Sequence, residues 1–187
     1  MKRNRKSPRL KGYDYTTPGY YFITIRIKNT GITLGEIKKS NSFLNESGKK
    51  AEEIWKAIPQ YYSHARLDEF IFMPDHMHGI IELSPLVVRT RLIASVQQGG
   101  QEERGSGGAT GKSNPMLNPE SLSNILRWYK GRSAFEIHKL PEGKLFQWHG
   151  RYYDRIIRNN DELNRIRYYI QQNPARWQQN QDEKNAA

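Results

Sequence analysis

The chain has 187 residues and carries 30 Lys and Arg against 19 Asp and Glu, a formal net charge of +11. That length holds one ordinary domain plus some irregular sequence, and the excess of cations points to a polyanionic partner, because each phosphate neutralised by Lys or Arg releases a counterion. Cysteine is absent, which excludes disulfides, thiolate metal ligands and a cysteine nucleophile. No apolar run approaches the ~18 residues of a membrane span, and no apolar stretch follows the basic segment Met1 to Arg9 as a signal peptide requires. A soluble cytoplasmic protein with no membrane partner is expected.

Residues 1–11 hold Lys2, Arg3, Arg5, Lys6, Arg9 and Lys11 without an acid, and read as a basic, disordered arm. Tyr20 to Ile27 is aromatic and β-branched, so it reads as a strand. Ile32 to Ile37 and Phe43-Leu44 flank the polar run Lys38 to Ser42, which predicts a hairpin. Asn45 or Ser47 can cap a helix whose Ala51, Ile54, Trp55 and Ile58 share one apolar face. Leu67 to Met73 and His76 to Leu83 are strand-like runs joined around Pro74-Asp75. Residues 86–118 read as a flexible insertion within the domain, since Val96 to Asn118 holds Gly-Ser-Gly-Gly-Ala-Thr-Gly-Lys-Ser and almost nothing apolar.

Ser121 or Ser123 starts a second helix through Leu122, Ile125, Leu126, Trp128 and Tyr129, ending before Pro141. A short strand around Leu145 to Trp148 follows, then another at Tyr152 to Ile157. Asn160 or Asp161 caps a final helix through Leu163, Ile166 and Ile170, stopped by Pro174. These elements predict a single α+β domain over 12–177, an antiparallel sheet with helices on one face. Residues 178–187 are expected to form a disordered tail.

Two segments carry the chemistry. In Met73-Pro74-Asp75-His76-Met77-His78-Gly79-Ile80-Ile81, strand alternation points His76 and His78 to one face and Met77 to the other. Two imidazoles one pleat apart can hold a divalent metal, and Gly79 leaves space beside them. By itself the pattern also fits a pair of strand histidines without a ligand. Asp75 reads as a turn-capping carboxylate. In Ile166-Arg167-Tyr168-Tyr169-Ile170-Gln171-Gln172-Asn173-Pro174, a helical turn of about 100° per residue makes Leu163, Ile166 and Ile170 the buried stripe. Tyr169 and Asn173 then flank the stripe, while Tyr168 and Gln172 point away from it. If this helix packs beside the sheet, Tyr169 and Asn173 can reach the histidines; simple packing at the core edge is the alternative for the tyrosine.

Trp128, Trp148, Tyr152 and Tyr153 interleave with Arg127, Lys130, Arg132, Arg151 and Arg155. Rings that stack bases beside cations that meet phosphates suit single-stranded DNA, although at least half of these rings are expected in the core. Arg5, Lys6, Arg9 and Lys11 of the arm join this candidate DNA-binding set. His64, His138 and His149 read as surface or loop residues.

Taken together, these segments resemble the single-tyrosine HUH transposases, in particular the REP-associated branch. His76-Met77-His78 is similar to that family's histidine–hydrophobe–histidine motif, in a Met-Pro-Asp-His-Met-His-Gly context. Tyr169 to Pro174 resembles its tyrosine helix, and Phe146-Gln147-Trp148 with Tyr152 to Arg158 resembles a recurring Trp-Gln and Ile-Arg element. Gly12-Tyr13-Asp14-Tyr15 and the first strand also resemble the start of such proteins. The likeness spans about Arg9 to Trp177 apart from the insertion.

It implies a ferredoxin-like sheet and a site-specific single-stranded DNA endonuclease and strand transferase acting on hairpin-forming repeat DNA, as monomer or homodimer. It further implies that Tyr169 attacks to give a 5′-phosphotyrosine. His76, His78 and the residue at 173 would then bind Mg2+ or Mn2+. Insertion-sequence relatives often carry glutamine at that third position, where this chain has the shorter Asn173. The rival expectation is a nucleic-acid-binding protein that keeps the fold without the reaction. A nuclease that uses water, with Tyr169 structural, is a third.

Overall fold

The protein is described here by a computed structural model covering residues 10, 12–28, 31–85 and 118–186. Arg5, Lys6, Arg9 and Lys11 of the expected arm lie outside the described residues, as does the expected insertion up to residue 117. Elements follow in the order β1 (Gly19–Arg26), β2 (Gly35–Lys38), β3 (Asn41–Leu44), α1 (Glu46–Lys56) and the short α2 (Ile58–Tyr61). Next come β4 (Ala65–Phe72), β5 (His76–Leu83), α3 (Leu122–Ile137), β6 (Tyr153–Ile157), α4 (Asn160–Gln171) and α5 (Asn173–Ala186). No described helix is long and apolar enough to cross a membrane.

Four strands form one antiparallel sheet in the order β4-β5-β1-β6, and β2-β3 is a separate hairpin. The sheet strands are crossed by α1 between β1 and β4 and by α3 between β5 and β6, which is the ferredoxin-like arrangement of an α+β domain. The central strand β1 has both faces covered in its middle, so apolar side chains stand on both sides there. Tyr21, Ile23 and Ile25 enter the larger core with Trp55 of α1 and Leu126 and Tyr129 of α3. Phe22 points the other way, into a second core with Ile80, Ile157, Leu163 and Ile170. This corrects the expectation of helices on one face: α1 and α3 cover one side, and α4 covers the other. Leu163 and Ile170 find their burial on the face opposite the main core because α1 and α3 already fill that core.

Local signals set the helix ends. Asn45 accepts from the Gly48 N–H at the start of α1, and Ser121 accepts from Asn124 N–H at the start of α3. The cap of α4 is Asn159 rather than Asn160 or Asp161; its carboxamide oxygen accepts from Glu162 N–H at 2.8 Å. Glu162 in turn accepts from Arg158 N–H at 3.0 Å and pairs with Arg155 at 2.6 Å, a reciprocal satisfaction of donors like that of a capping box. That carboxylate explains why a shift of one residue wins.

Three further expectations are corrected. The segment Leu145 to Trp148 forms no strand, only an isolated bridge from Trp148 to Ile27, because Trp148 turns into the core and donates to Ser133 Oγ at 2.9 Å. Pro174 does not end the helical run. Order continues as α5 to Ala186, in place of the disordered tail, because proline at the start of a new helix costs no internal hydrogen bond. Gly79 serves the opposite face from the histidines: a Cβ there would lie 2.5 Å from Trp55 Cζ2, so the missing side chain makes room for α1.

Candidate active site

The site lies on the α4 face of the sheet, where β1 and β5 run side by side. Arg26 is the cross-strand partner of His76, and Thr24 of His78. Alternation therefore gathers Phe22, Thr24 and Arg26 of β1 with His76 and His78 of β5 on one surface. His78 is buried, 5% exposed, and its ring stacks against Phe22 with centroids 5.3 Å apart.

Each imidazole is held at Nδ1 and turns Nε2 toward its neighbour. Asp75 Oδ1 contacts His76 Nδ1 closely, and Thr24 Oγ1 lies 2.8 Å from His78 Nδ1. The two Nε2 atoms are 3.1 Å apart. A single proton or a single cation between them satisfies both nitrogens. The separation is close to what two metal–imidazole bonds of roughly 2.0–2.1 Å span at one ion, and oriented Nδ1 atoms are the usual support of histidine ligands. The donor set fits a divalent metal.

Asp75 departs from its expected role as a turn cap. Its other oxygen pairs with Arg26 at 3.0 Å, so the carboxylate bridges the guanidinium and the His76 ring. Its pKa is drawn down to about 2, first by the hydrogen bond with His76 and then, against the cost of burial, by the His76 charge and Arg26. The His78 pKa is lowered to about 3, chiefly by burial and then by His76. A neutral ring with an available lone pair is the state a metal ligand needs.

Helix α4 brings the tyrosine. The Tyr169 hydroxyl is 3.5 Å from His78 Nε2, its ring packs edge-on against Phe22 and His78, and Arg176 lies 5.4 Å above it. Tyr168 turns outward and is 61% exposed. The helix is pinned at the neighbouring register: Arg167 grips Asp68 of β4 through two hydrogen bonds of 2.8 and 2.5 Å, and Gln171 reaches Glu69 at 3.2 Å. Asn173 is buried at the first position of α5, four residues beyond Tyr169, and its amide makes no hydrogen bond to either histidine. Among the described residues no group of three His, Cys, Asp or Glu converges on a metal position.

The expected DNA cations are scattered and largely engaged. Arg127 bonds Asn124 at 3.1 Å, Arg132 pairs with Glu136 at 2.9 Å, and Arg155 pairs with Glu162. Lys130 braces the loop after Trp148 through the His149 and Gly150 carbonyls at 2.8 and 3.1 Å. Arg151 is exposed. Of the four rings, Trp148 is core, Trp128 and Tyr152 are half-buried, and Tyr153 is exposed. His64 and His138 bond backbone carbonyls of Glu120 and Phe146, and His149 is exposed.

Sequence reasoning missed Thr24, Phe22 and Trp177, whose ring lies 5.9 Å from that of His76. Thr24 and Phe22 were within reach, since alternation along β1 puts both on one face once β1 and β5 are paired. Nothing local in α5 marks Trp177.

No family model matches the chain. A protein of Haemophilus influenzae described only as uncharacterized is 33% identical over 180 residues, which cover 95% of this chain and 92% of that protein. Among solved structures, a REP-associated tyrosine transposase bound to a REP hairpin superposes with a TM-score of 0.54 at 16% identity, over 94% of this chain and 74% of the other. At that identity the likeness is one of fold. The chain thus has the α+β fold of a REP-associated tyrosine transposase, and by its identity over nearly the whole length it belongs to the family of the Haemophilus influenzae protein.

Proposed function

We propose that this protein is a metal-dependent single-tyrosine endonuclease and strand transferase for single-stranded DNA, acting on hairpin-forming repeats through a 5′-phosphotyrosine. The observation that carries this reading is the Tyr169 hydroxyl 3.5 Å from His78 Nε2, itself 3.1 Å from His76 Nε2. A nucleophile and a pair of metal donors thus face one point. The fold shared with a transposase that binds a REP hairpin supports the DNA substrate, as does the net charge of +11.

A phenol is a weak nucleophile near neutral pH, since its pKa is about 10. A divalent ion held by His76 and His78, with the Asn173 amide as the candidate third ligand, would supply Lewis-acid stabilisation of charge on a phosphoryl oxygen. The chain does the rest. Phe22 and His78 hold the Tyr169 ring edge-on, which fixes the direction of its oxygen. Tyr169 Oη attacks phosphorus and loses its proton; the P–O3′ bond breaks, and the departing 3′ oxygen takes up a proton. The tyrosyl ester keeps the bond energy, so a 3′-hydroxyl can attack it, restore a phosphodiester and release the phenol without a nucleotide cofactor.

The test is a covalent adduct. A 3′-end-labelled strand is expected to leave its labelled fragment on the native chain after denaturation in the presence of Mn2+ or Mg2+, attached to the peptide holding Tyr169. A cut without an adduct would assign attack to water; binding without a cut would leave a nucleic-acid-binding protein.

A further inference from the structure

A second feature sits beside the histidines. A surface cleft of about 580 Å³ is lined by Arg26, Ile27, Lys28, Asp75 and His149, within the ~300–1,000 Å³ range of small-ligand sites. Asp75 is a wall common to both sites, because the same carboxylate touches His76. Thr24, Arg26 and Lys28 are alternate residues of the same chain run, so their side chains continue along the histidine face.

The floor of the cleft is rigid. Lys28 N–H donates to the Gln147 carbonyl and His149 N–H to the Arg26 carbonyl, each at 2.7 Å, while Ile27 N–H donates to Asp75 O at 2.9 Å. Ile27 also bridges to the buried Trp148. The end of β1 is thus held between two segments, and the side chains above it project from fixed backbone. Charge in the cleft is lopsided. Asp75 is the one acid among the lining residues, beside Arg26, Lys28 and His149, and Arg26 and His76 both engage it. Lys28 Nζ is steadied by Gln147 Oε1 at 3.0 Å.

We propose that this cleft is a nucleotide subsite: it takes the phosphodiester next to the one held at His76 and His78. Arg26 and Lys28 meet the phosphate oxygens, and the exposed His149 ring offers a face to the attached base. The arrangement follows the chemistry of single strands, which need a cationic track for the backbone and flat rings for the bases. It also gives the reaction a reason for its geometry. A strand anchored one nucleotide away cannot slide, so the scissile phosphorus is kept in line with Tyr169. The subsite rests on the DNA reading given above, and specifies where that strand runs.

The experiment measures binding of a short single-stranded oligothymidylate to the full chain across a range of salt, by fluorescence anisotropy. Each phosphate neutralised on a single strand contributes a slope of about −0.7 to log affinity against log salt. The doubly substituted Lys28→Gln, His149→Gln protein is expected to bind several-fold more weakly, with the slope flatter by about 0.7. Lys49→Gln, a change on the outer side of α1 across the sheet from the cleft, is the control and is expected to leave the slope unchanged. An unchanged slope in the double variant, or an equal change in the control, overturns the subsite. Because binding is read without cleavage, the two readings fail separately. A phosphotyrosine adduct together with an unchanged slope removes the subsite alone. No adduct together with a flattened slope removes the endonuclease and keeps a nucleotide-binding cleft. A native chain that does not bind the oligomer removes the subsite, whatever the adduct assay shows.

Discussion

The Thr24 hydroxyl lies 2.8 Å from His78 Nδ1 across the β1–β5 ladder, although the two residues are far apart in the chain. The contact orients a buried ring whose ring neighbours among the described residues are Phe22, His76 and Tyr169. In the proposed metal site Thr24 would thus be a positioning residue. Thr24→Val, nearly the same in shape, is expected to weaken Mn2+ binding about 10- to 100-fold, the usual cost of losing such support, whereas Thr24→Ser restores it. Titration calorimetry of the three proteins checks this; native-like affinity in the valine variant would contradict it.

Removal of either histidine is expected to be more severe. His76→Ala and His78→Ala should each abolish cleavage, because one imidazole is left without its partner 3.1 Å away. Excess EDTA should do the same to the native protein, with Mn2+ or Mg2+ restoring activity. Cleavage that survives chelation in a gel assay would rule out a metal-dependent step.

The two adjacent tyrosines make a sharp comparison. Tyr169→Phe removes only the oxygen that faces His78, so it is expected to lose cleavage and the adduct while keeping DNA affinity. Tyr168→Phe, at a position 61% exposed, should keep most activity. An adduct in the Tyr169→Phe protein, located by mass spectrometry, would refute the assignment.

The Arg167–Asp68 pair anchors the tyrosine helix. Asp68 is held below its ordinary value of 3.8, mainly by its hydrogen bond to Arg167 and then by the Glu69 N–H, against the cost of burial. A depressed carboxyl contributes stability that is complete above the unfolded value and is lost as pH falls through the folded one. Asp68→Asn is expected to cost about 1–2 kcal/mol near neutral pH, a charged hydrogen bond discounted for the partly exposed arginine. The gap between the two proteins should close as pH drops below 3.8. Urea midpoints at a series of pH values measure it, and a gap that does not change with pH would exclude this linkage.

Gly79→Ala separates packing from chemistry. The added carbon would meet the Trp55 ring at 2.5 Å on the face away from the histidines. A loss of about 1–3 kcal/mol in stability is expected from such overpacking, with Mn2+ affinity retained in the folded fraction. Selective loss of metal binding at unchanged stability would mean that the glycine serves the histidine side after all.

What the sequence determined by itself follows from short-range rules. A period of two puts His76 and His78 on one face, and a helical turn separates Tyr169 from Tyr168; both depend only on the backbone within a few residues. Hairpin β2-β3 is legible for the same reason, as are the starts of α1 and α3, where the sequence narrows the cap to Asn45 or Ser47 and to Ser121 or Ser123. Long-range packing decided the rest. Only the pairing of β1 with β5 brings Thr24 to His78 and Arg26 to Asp75, and no local pattern encodes that register. The main core, already filled by α1 and α3, sends α4 to the opposite face and so brings Tyr169 over the histidines. Gly79 shows the limit most clearly. Its small size is visible in the sequence, but the reason for it, the Trp55 ring, comes from a helix that reaches it only in the folded chain.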